Sequence, residues 1–385
     1  MSKLEKLIAE LCPDGVEYKS IREIAEVGTG NSNGNESVDN GLFPFFVRSQ
    51  TIKSKDDYEY DEEAIIIPGE GGIGEIFHYI NGKYALHQRV YRIHFIVEDV
   101  NTKFAYYYMQ AYFKPFILKK AVSATVTSIR KPMIEDFPLP VPPLPVQREI
   151  VRILDNFTEL TAELTAELTA RRKQYEYYRD ELLAAGESTP RIELRNVVRK
   201  SCSGATPIKG NSEYYENGTI PWIRTQDVRF NEIYTVDSYI TERAIEETAA
   251  KWIPENCVIV AISGASAGRC AINKIKATTN QHCLNMEIDD SKALYKYVYY
   301  CVAAQYEELL ARKQGARGDL NSSLILSIKI PVPPLEEQHR IVSILDRFDA
   351  LCNDLTSGLP AEIEARKKQY EYYRDKLLTF QEAKI

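Results

Sequence analysis

The chain has 385 residues, 44% of them hydrophobic and 27% charged, and a formal net charge of −7. A length of that order exceeds what one hydrophobic core supports, so two or more domains are expected. The acidic balance argues against a general electrostatic grip on nucleic acid, so any DNA contact has to rest on locally gathered cations.

Met1–Cys12 reads as a short helix that should pack near the C-terminal arm; it alternates charged and apolar residues and has no signal-peptide core. No apolar run approaches the ~20 residues that cross a bilayer, so no membrane partner is expected. The β run Ala64–Pro68 leads into Gly69-Glu70-Gly71-Gly72-Ile73-Gly74, which satisfies G-x-G-x-x-G. A dinucleotide site needs a helix next. Glu75–Gly82 instead alternates like another strand with a turn, so the glycines read as a tight turn. A strand over Arg89–Val97 and a helix over Phe104–Lys120 complete a first mixed unit.

Val146–Ala184 then places Ile150, Leu154, Phe157, Leu160, Leu164, Leu168, Tyr175, Tyr178 and Leu182 on one stripe, the three-and-four spacing of an amphipathic helix. About 38 residues at 1.5 Å each make a rod of ~55 Å, which calls for a helical partner. In the second half, Cys257–Ile262 and Cys283–Ile288 read as strands and Ala293–Lys313 as helical. The last arm carries a stripe of Ile341, Leu345, Phe348, Leu351 and Leu355, then Ser357-Gly358-Leu359-Pro360. Glycine and proline should split it into two helical pieces.

A repeat organises all of this. Pro140-Val141-Pro142-Pro143-Leu144 recurs as Pro331-Val332-Pro333-Pro334-Leu335, and Lys173–Asp180 (KQYEYYRD) recurs unchanged as Lys368–Asp375. Fainter matches link Phe43–Gln50 with Ile220–Gln226 after a one-residue gap, Ala64–Ile67 with Val258–Ala261, and His87-Gln88-Arg89 with Gln281-His282. The order the repeat gives is globular unit, long helix, globular unit, long helix, each globular unit α/β (α+β) and the two helices coiled-coil-like partners. The boundaries expected are 1–17 for the N-terminal helical segment, 18–146 and 188–333 for the domains, and 147–187 and 334–385 for the helical spacers.

The candidates for chemistry are those of recognition. Arg48, Ser49, Gln50, Gln88 and Arg89 in the first unit, and Arg224, Thr225, Gln226, Gln281 and His282 in the second, are types that pair with base edges. Lys119, Lys120 and Arg130, with Arg312, Lys313 and Arg317, suit phosphate contacts that position without specifying. No catalytic residue is expected. Val141–Leu144 lacks the polar first and aromatic last residues of the adenine-methyltransferase loop that grips a flipped base, and no P-loop occurs. The seven cysteines form no C-x-x-C pair, which favours reduced thiols in a cytoplasmic protein over a disulfide framework or a zinc site. Thr161-Ala162-Glu163-Leu164 repeats as Thr165-Ala166-Glu167-Leu168. Each such unit adds ~6 Å of helix and ~40° of rotation, against ~3.4 Å per base pair of DNA, so Thr161, Leu164, Thr165 and Leu168 could act as a ruler as well as plain helix formers. Tyr177 and Tyr372 are candidates for helix packing or contact with a partner subunit.

The P-V-P-P-L-x-x-Q entry and the K-Q-Y-E-Y-Y-R-D end of each helix resemble the specificity subunits of Type I restriction-modification enzymes, and the T-A-E-L units resemble those of the IC subfamily. The resemblance implies two α/β (α+β) target-recognition domains on two long antiparallel, coiled-coil-like helices with pseudo-two-fold symmetry, in a non-enzymatic subunit reading a bipartite duplex DNA site, one half per domain. It also implies that two methyltransferase subunits and nuclease-translocase subunits dock on the chain and carry the S-adenosylmethionine, ATP and magnesium. Spacer control would then rest on Leu160–Ala170 alone. The rivals are a stand-alone methyltransferase, disfavoured by the missing cofactor and catalytic loops, and a coiled-coil adaptor that would bind no DNA.

Overall fold

A computed structural model describes residues 3–120, 128–184, 186, 189–312, 319–354 and 357–383. The chain forms two compact units, Met1–Thr165 with Glu362–Ile385, and Ala166–Ala361.

Unit 1 centres on a six-stranded sheet. Four neighbours run antiparallel in the order Ala25–Thr29, Val90–Phe95, Tyr60–Pro68, His78–Leu86. Phe43–Phe46 then pairs parallel to the last of these, Phe45 beside Ala85 and Phe46 beside Leu86. Ile65, Ile67 and Ile93 alternate onto the face covered by the helix Thr102–Lys120, whose Phe104, Met109, Phe113 and Ile117 are buried against them. Burying each such side chain contributes roughly 1.5–3 kcal/mol.

Unit 2 repeats the plan. Val198–Ser203, Cys283–Ile288, Val258–Ala261 and Cys270–Asn273 follow the same antiparallel order, and Ile220–Ile223 pairs parallel to Thr278–Thr279. The covering helix is Tyr295–Ala304, buried through Tyr297, Val298 and Val302. The helical stretch expected from Ala293 onward is therefore two helices over its described residues, the second being Tyr306–Ala311, with a break at Gln305; its last residue, Lys313, lies outside them.

Glycines explain the closest approach in both sheets. An added Cβ would stand 1.8 Å from the Leu86 carbonyl oxygen at Gly30, and 1.8 Å from that of Thr279 at Gly204. Only a residue without a side chain lets these segments meet.

The helix after the first domain runs Leu144–Ala184, 41 residues, starting two residues before the sequence signal. Its first part belongs to unit 1 and its remainder to unit 2. The last arm is split as expected, into Leu335–Asn353 and Leu359–Leu377. Within unit 1, Phe157 stacks on Tyr373 of that arm at 5.5 Å. Within unit 2, Tyr178 stacks on Phe348 at 5.9 Å. The phenylalanine of each repeat thus meets the same tyrosine of the other, so the repeated helices do lie against one another. Leu351, expected on the stripe, is 39% exposed, because the helix ends two residues later and its last turn has little left to cover. Leu355 lies outside the described residues. The N-terminal helix Lys3–Leu11 packs through Leu4, Leu7 and Ile8 into the cluster that holds Leu377, Leu378 and Phe380, which places it on the C-terminal arm.

Two local readings need correction. Gly82 is not a turn: the strand runs unbroken from His78 to Leu86, with Gly82 opposite Glu62 at φ 127. The turn lies earlier, at Gly71, Gly72 and Gly74, all at positive φ. The strand match is also one residue off. Ile67 faces Tyr91 and Val260 faces Leu284, so Ile65 corresponds to Val258, a register that two uniformly apolar runs leave open.

Candidate nucleic-acid interface

Each helix entry is clamped by the same residues. In unit 1 Gln147 is fully buried. Its Oε1 accepts from the Asn101 N–H at 2.8 Å, and its Nε2 donates to the carbonyls of Pro142 at 2.6 Å and Asp99 at 2.7 Å. In unit 2 Gln338 is equally buried and repeats this with the Leu294 N–H (2.9 Å) and the carbonyls of Pro333 (2.8 Å) and Lys292 (3.3 Å). The glutamine ties the helix to the start of the covering helix, and the prolines hold the carbonyl it needs in extended backbone. Two turns on, Asp155 accepts from Tyr107 Oη (2.6 Å) and Lys103 Nζ (2.7 Å), while Asp346 accepts from Tyr300 Oη (2.7 Å) and Lys296 Nζ (2.9 Å). Tyr178 and Tyr373 each keep one ring face against a phenylalanine of the facing helix. Tyr177 and Tyr372 are left 65% and 64% exposed, so they are not buried between helices.

Above this common base the two domains differ. In unit 1 the segments holding Arg48, Glu70 and Gln88-Arg89 meet. The His87 N–H donates to the Phe46 carbonyl at 3.0 Å and the Gly69 N–H to the Arg89 carbonyl at 2.9 Å. Arg48 and Arg89, both exposed, converge on one carboxylate. Arg48 Nη1 lies 2.9 Å from Glu70 Oε2, and Arg89 Nη1 lies 3.1 Å from each Glu70 oxygen. Hydrogen bonds from Arg89 and then Arg48 hold the Glu70 carboxyl below its usual range. Gln88 is exposed and donates to Asn33 Oδ1 at 2.9 Å. Ser49 bonds the Thr51 carbonyl, and Gln50 is exposed.

In unit 2 the equivalent loops share the backbone frame, with the Asn280 N–H donating to the Ile223 carbonyl at 3.0 Å. Ile223 stands where Phe46 does, so Arg224 follows the strand directly whereas Arg48 comes one residue later. Arg224 is half-buried, over the Trp222 ring at 6.0 Å and 4.0 Å from Asp227. Thr225 opens a short turn, and Gln226, Gln281 and His282 are exposed, Gln281 bonded to Thr206.

Lys119 is exposed near the end of its helix and Arg130 is exposed just before the helix Lys131–Glu135. Lys120 ends the helix Thr102–Lys120. Arg312 is paired with Glu308. Lys313 and Arg317 lie outside the described residues. Of the ruler residues, Leu164 and Leu168 are half-buried, and the hydroxyls of Thr161 and Thr165 bond the carbonyls four residues back.

Sequence reasoning missed Gln147, Gln338, Asp155 and Asp346 as clamps and Glu70 as the partner of two arginines. The clamps were visible as invariant letters of the two repeats. Glu70 was hidden because its partners are distant in sequence. Among the described residues no group of three or more His, Cys, Asp or Glu is placed to hold a metal ion, and no helix is long and apolar enough to cross a membrane. All seven cysteines are free.

Two modules of one fold, fixed to paired helices by the same residues and differing in the loops they present, define a paired-recognition scaffold. The chain belongs to the family described as the type I restriction modification DNA specificity domain, which it matches over residues 13–171 and 192–365. It is 41% identical over 254 residues to the EcoR124I/EcoR124II specificity subunit of Escherichia coli, covering 63% of each chain. It is 31% identical over 402 aligned positions to a putative type I specificity subunit of Haemophilus influenzae, covering 98% of each. The fold resembles that of the S subunit of a type I restriction-modification system from M. genitalium, at TM-score 0.60 and 16% identity over 94% of this chain and 95% of that one. A chain of another type I system, solved for its complex assembly and conformational transition, gives TM-score 0.63 at 15% identity over 95% and 98%.

Proposed function

We propose that the chain is the DNA-specificity subunit of a type I restriction-modification enzyme. It reads a bipartite duplex site, one half per domain (18–146 and 188–333), and catalyses no step itself. The observation that carries this reading is the pairing of identical clamps, Gln147 with Asp155 and Gln338 with Asp346, beneath loops that share a backbone frame and little else. A scaffold built twice with two different presenting surfaces suits a site of two unlike halves. The base-reading residues are Arg48, Ser49, Gln50, Gln88 and Arg89 in one domain and Arg224, Thr225, Gln226, Gln281 and His282 in the other. Lys119, Lys120, Arg130, Arg312, Lys313 and Arg317 contact phosphates.

Two methyltransferase subunits dock on the chain, Tyr177 and Tyr372 contributing to their contacts, and nuclease-translocase subunits join that core. S-adenosylmethionine, ATP and magnesium are held by these partners, and the assembly works in the cytoplasm. The tandem T-A-E-L units, Thr161–Leu164 and Thr165–Leu168, set spacer length and support an IC-like subfamily.

The test is co-expression with the partner methyltransferase and genome-wide mapping of methylated adenines. Two short fixed sequences at constant separation are expected. A contiguous motif, or none, would refute the reading.

A further inference from the structure

Three loops of unit 1 bring two arginines and one glutamate together from distant parts of the sequence: Arg48 after one strand, Glu70 in the glycine turn, Arg89 after another strand. The frame beneath them is fixed, because Phe46, His87, Gly69 and Arg89 are joined by backbone hydrogen bonds. Gly71 and Gly72, at φ 76 and 77, turn the loop, and a Cβ at Gly71 would crowd the Arg48 carbonyl at 3.2 Å.

Each arginine spends only Nη1 on Glu70. Neither Nη2 nor Nε of either side chain has a hydrogen-bond partner among the described residues, so each guanidinium keeps a two-donor edge free. That edge fits the paired O6 and N7 acceptors of guanine. Unanchored, two such long cations would repel and swing, and ordering them would weaken binding; a carboxylate between them settles their geometry beforehand.

We propose that Glu70 is a positioning residue that presents Arg48 and Arg89 to guanines of G·C pairs in one half-site. The proposal rests on the DNA-reading function above and adds the bases and the residue that orients the readers. Unit 2 holds Arg224 against Trp222 and Asp227 instead, so the effect is confined to one half.

The test uses the full chain co-expressed with its methyltransferase partner, comparing Arg48→Lys, Arg89→Lys and Glu70→Gln by methylation mapping. The assembled complexes are also bound to duplexes with each base pair replaced in turn. Lysine keeps the charge but not the fork, so each Arg→Lys change should cost roughly 5- to 150-fold in preference for guanine at one position. Glu70→Gln should loosen both positions together, with the other half-site and the spacer unchanged. Melting temperatures of the variants should match the parent, since all three side chains are partly exposed. Unaltered base preference at both positions in the lysine variants and in Glu70→Gln alike would overturn the assignment. A parent motif lacking G·C pairs in the affected half would overturn it too. A parent motif that is not bipartite would instead remove the function on which it rests.

Discussion

Replacing Gln147 with alanine tests whether the clamp holds domain to helix. The substitution deletes three hydrogen bonds, at 2.6, 2.7 and 2.8 Å, from a side chain with no solvent exposure. At a net value of about 1 kcal/mol each, the bonds alone account for about 3 kcal/mol. The Asp99 and Asn101 partners are part-buried and can regain water, whereas the bond to Pro142 is buried, so only that carbonyl adds an orphaning cost. The expected loss is about 3–4 kcal/mol. Urea unfolding, followed by far-UV circular dichroism, should show it as a lowered midpoint. Gln338→Ala should cost slightly less, because its third bond is 3.3 Å long. Glu176→Ala, at an exposed helix position, should stay within about 0.5 kcal/mol. If Gln147→Ala unfolds together with that control, the clamp has no energetic role and the reasoning is wrong.

Gly30→Ala should destabilise unit 1 by about 3 kcal/mol or more, because its Cβ would collide with the Leu86 carbonyl; a near-neutral melting temperature would show that the segment relaxes. Hydrogen bonds from Arg152 and Lys3 hold the Glu149 carboxyl at about 2 against 4.5 when free. A depressed carboxyl pKa stabilises the fold above about pH 4.5 and loses that contribution as pH falls towards 2. The difference in urea midpoint between the parent and Glu149→Gln should therefore shrink across that window, and a constant difference would contradict it. Deleting Thr165–Leu168 should change the spacer length tolerated while leaving both half-site sequences intact, which methylation mapping reads directly. Burial pushes the Cys257, Cys283 and Cys301 thiols up to about 12, so they should resist a thiol reagent at pH 8 until the protein unfolds.

The helices were legible because their signal is periodic and printed twice. Nine apolar positions at three-and-four spacing marked the long rod, and Gly358 with Pro360 marked the break in the other arm. The sheets were legible only as apolar runs. Ala64–Ile67 and Val258–Ala261 look alike at any register, and only pairing with Tyr91 and Leu284 fixes it. Gly82 read as a turn because glycine usually punctuates strands, but here the strand continues through it opposite Glu62. Arg48 and Arg89 were recognised singly by residue type. Their meeting at Glu70 depends on a parallel strand pair and a glycine turn, tertiary facts that no local pattern carries.

The central claim is that each domain reads its own half of a divided site. Its most direct test replaces residues 188–333 with the matching segment of another specificity subunit and maps methylation before and after. One half of the motif should change, with the other half and the separation preserved. If both halves change, or neither does, the two domains are not independent readers.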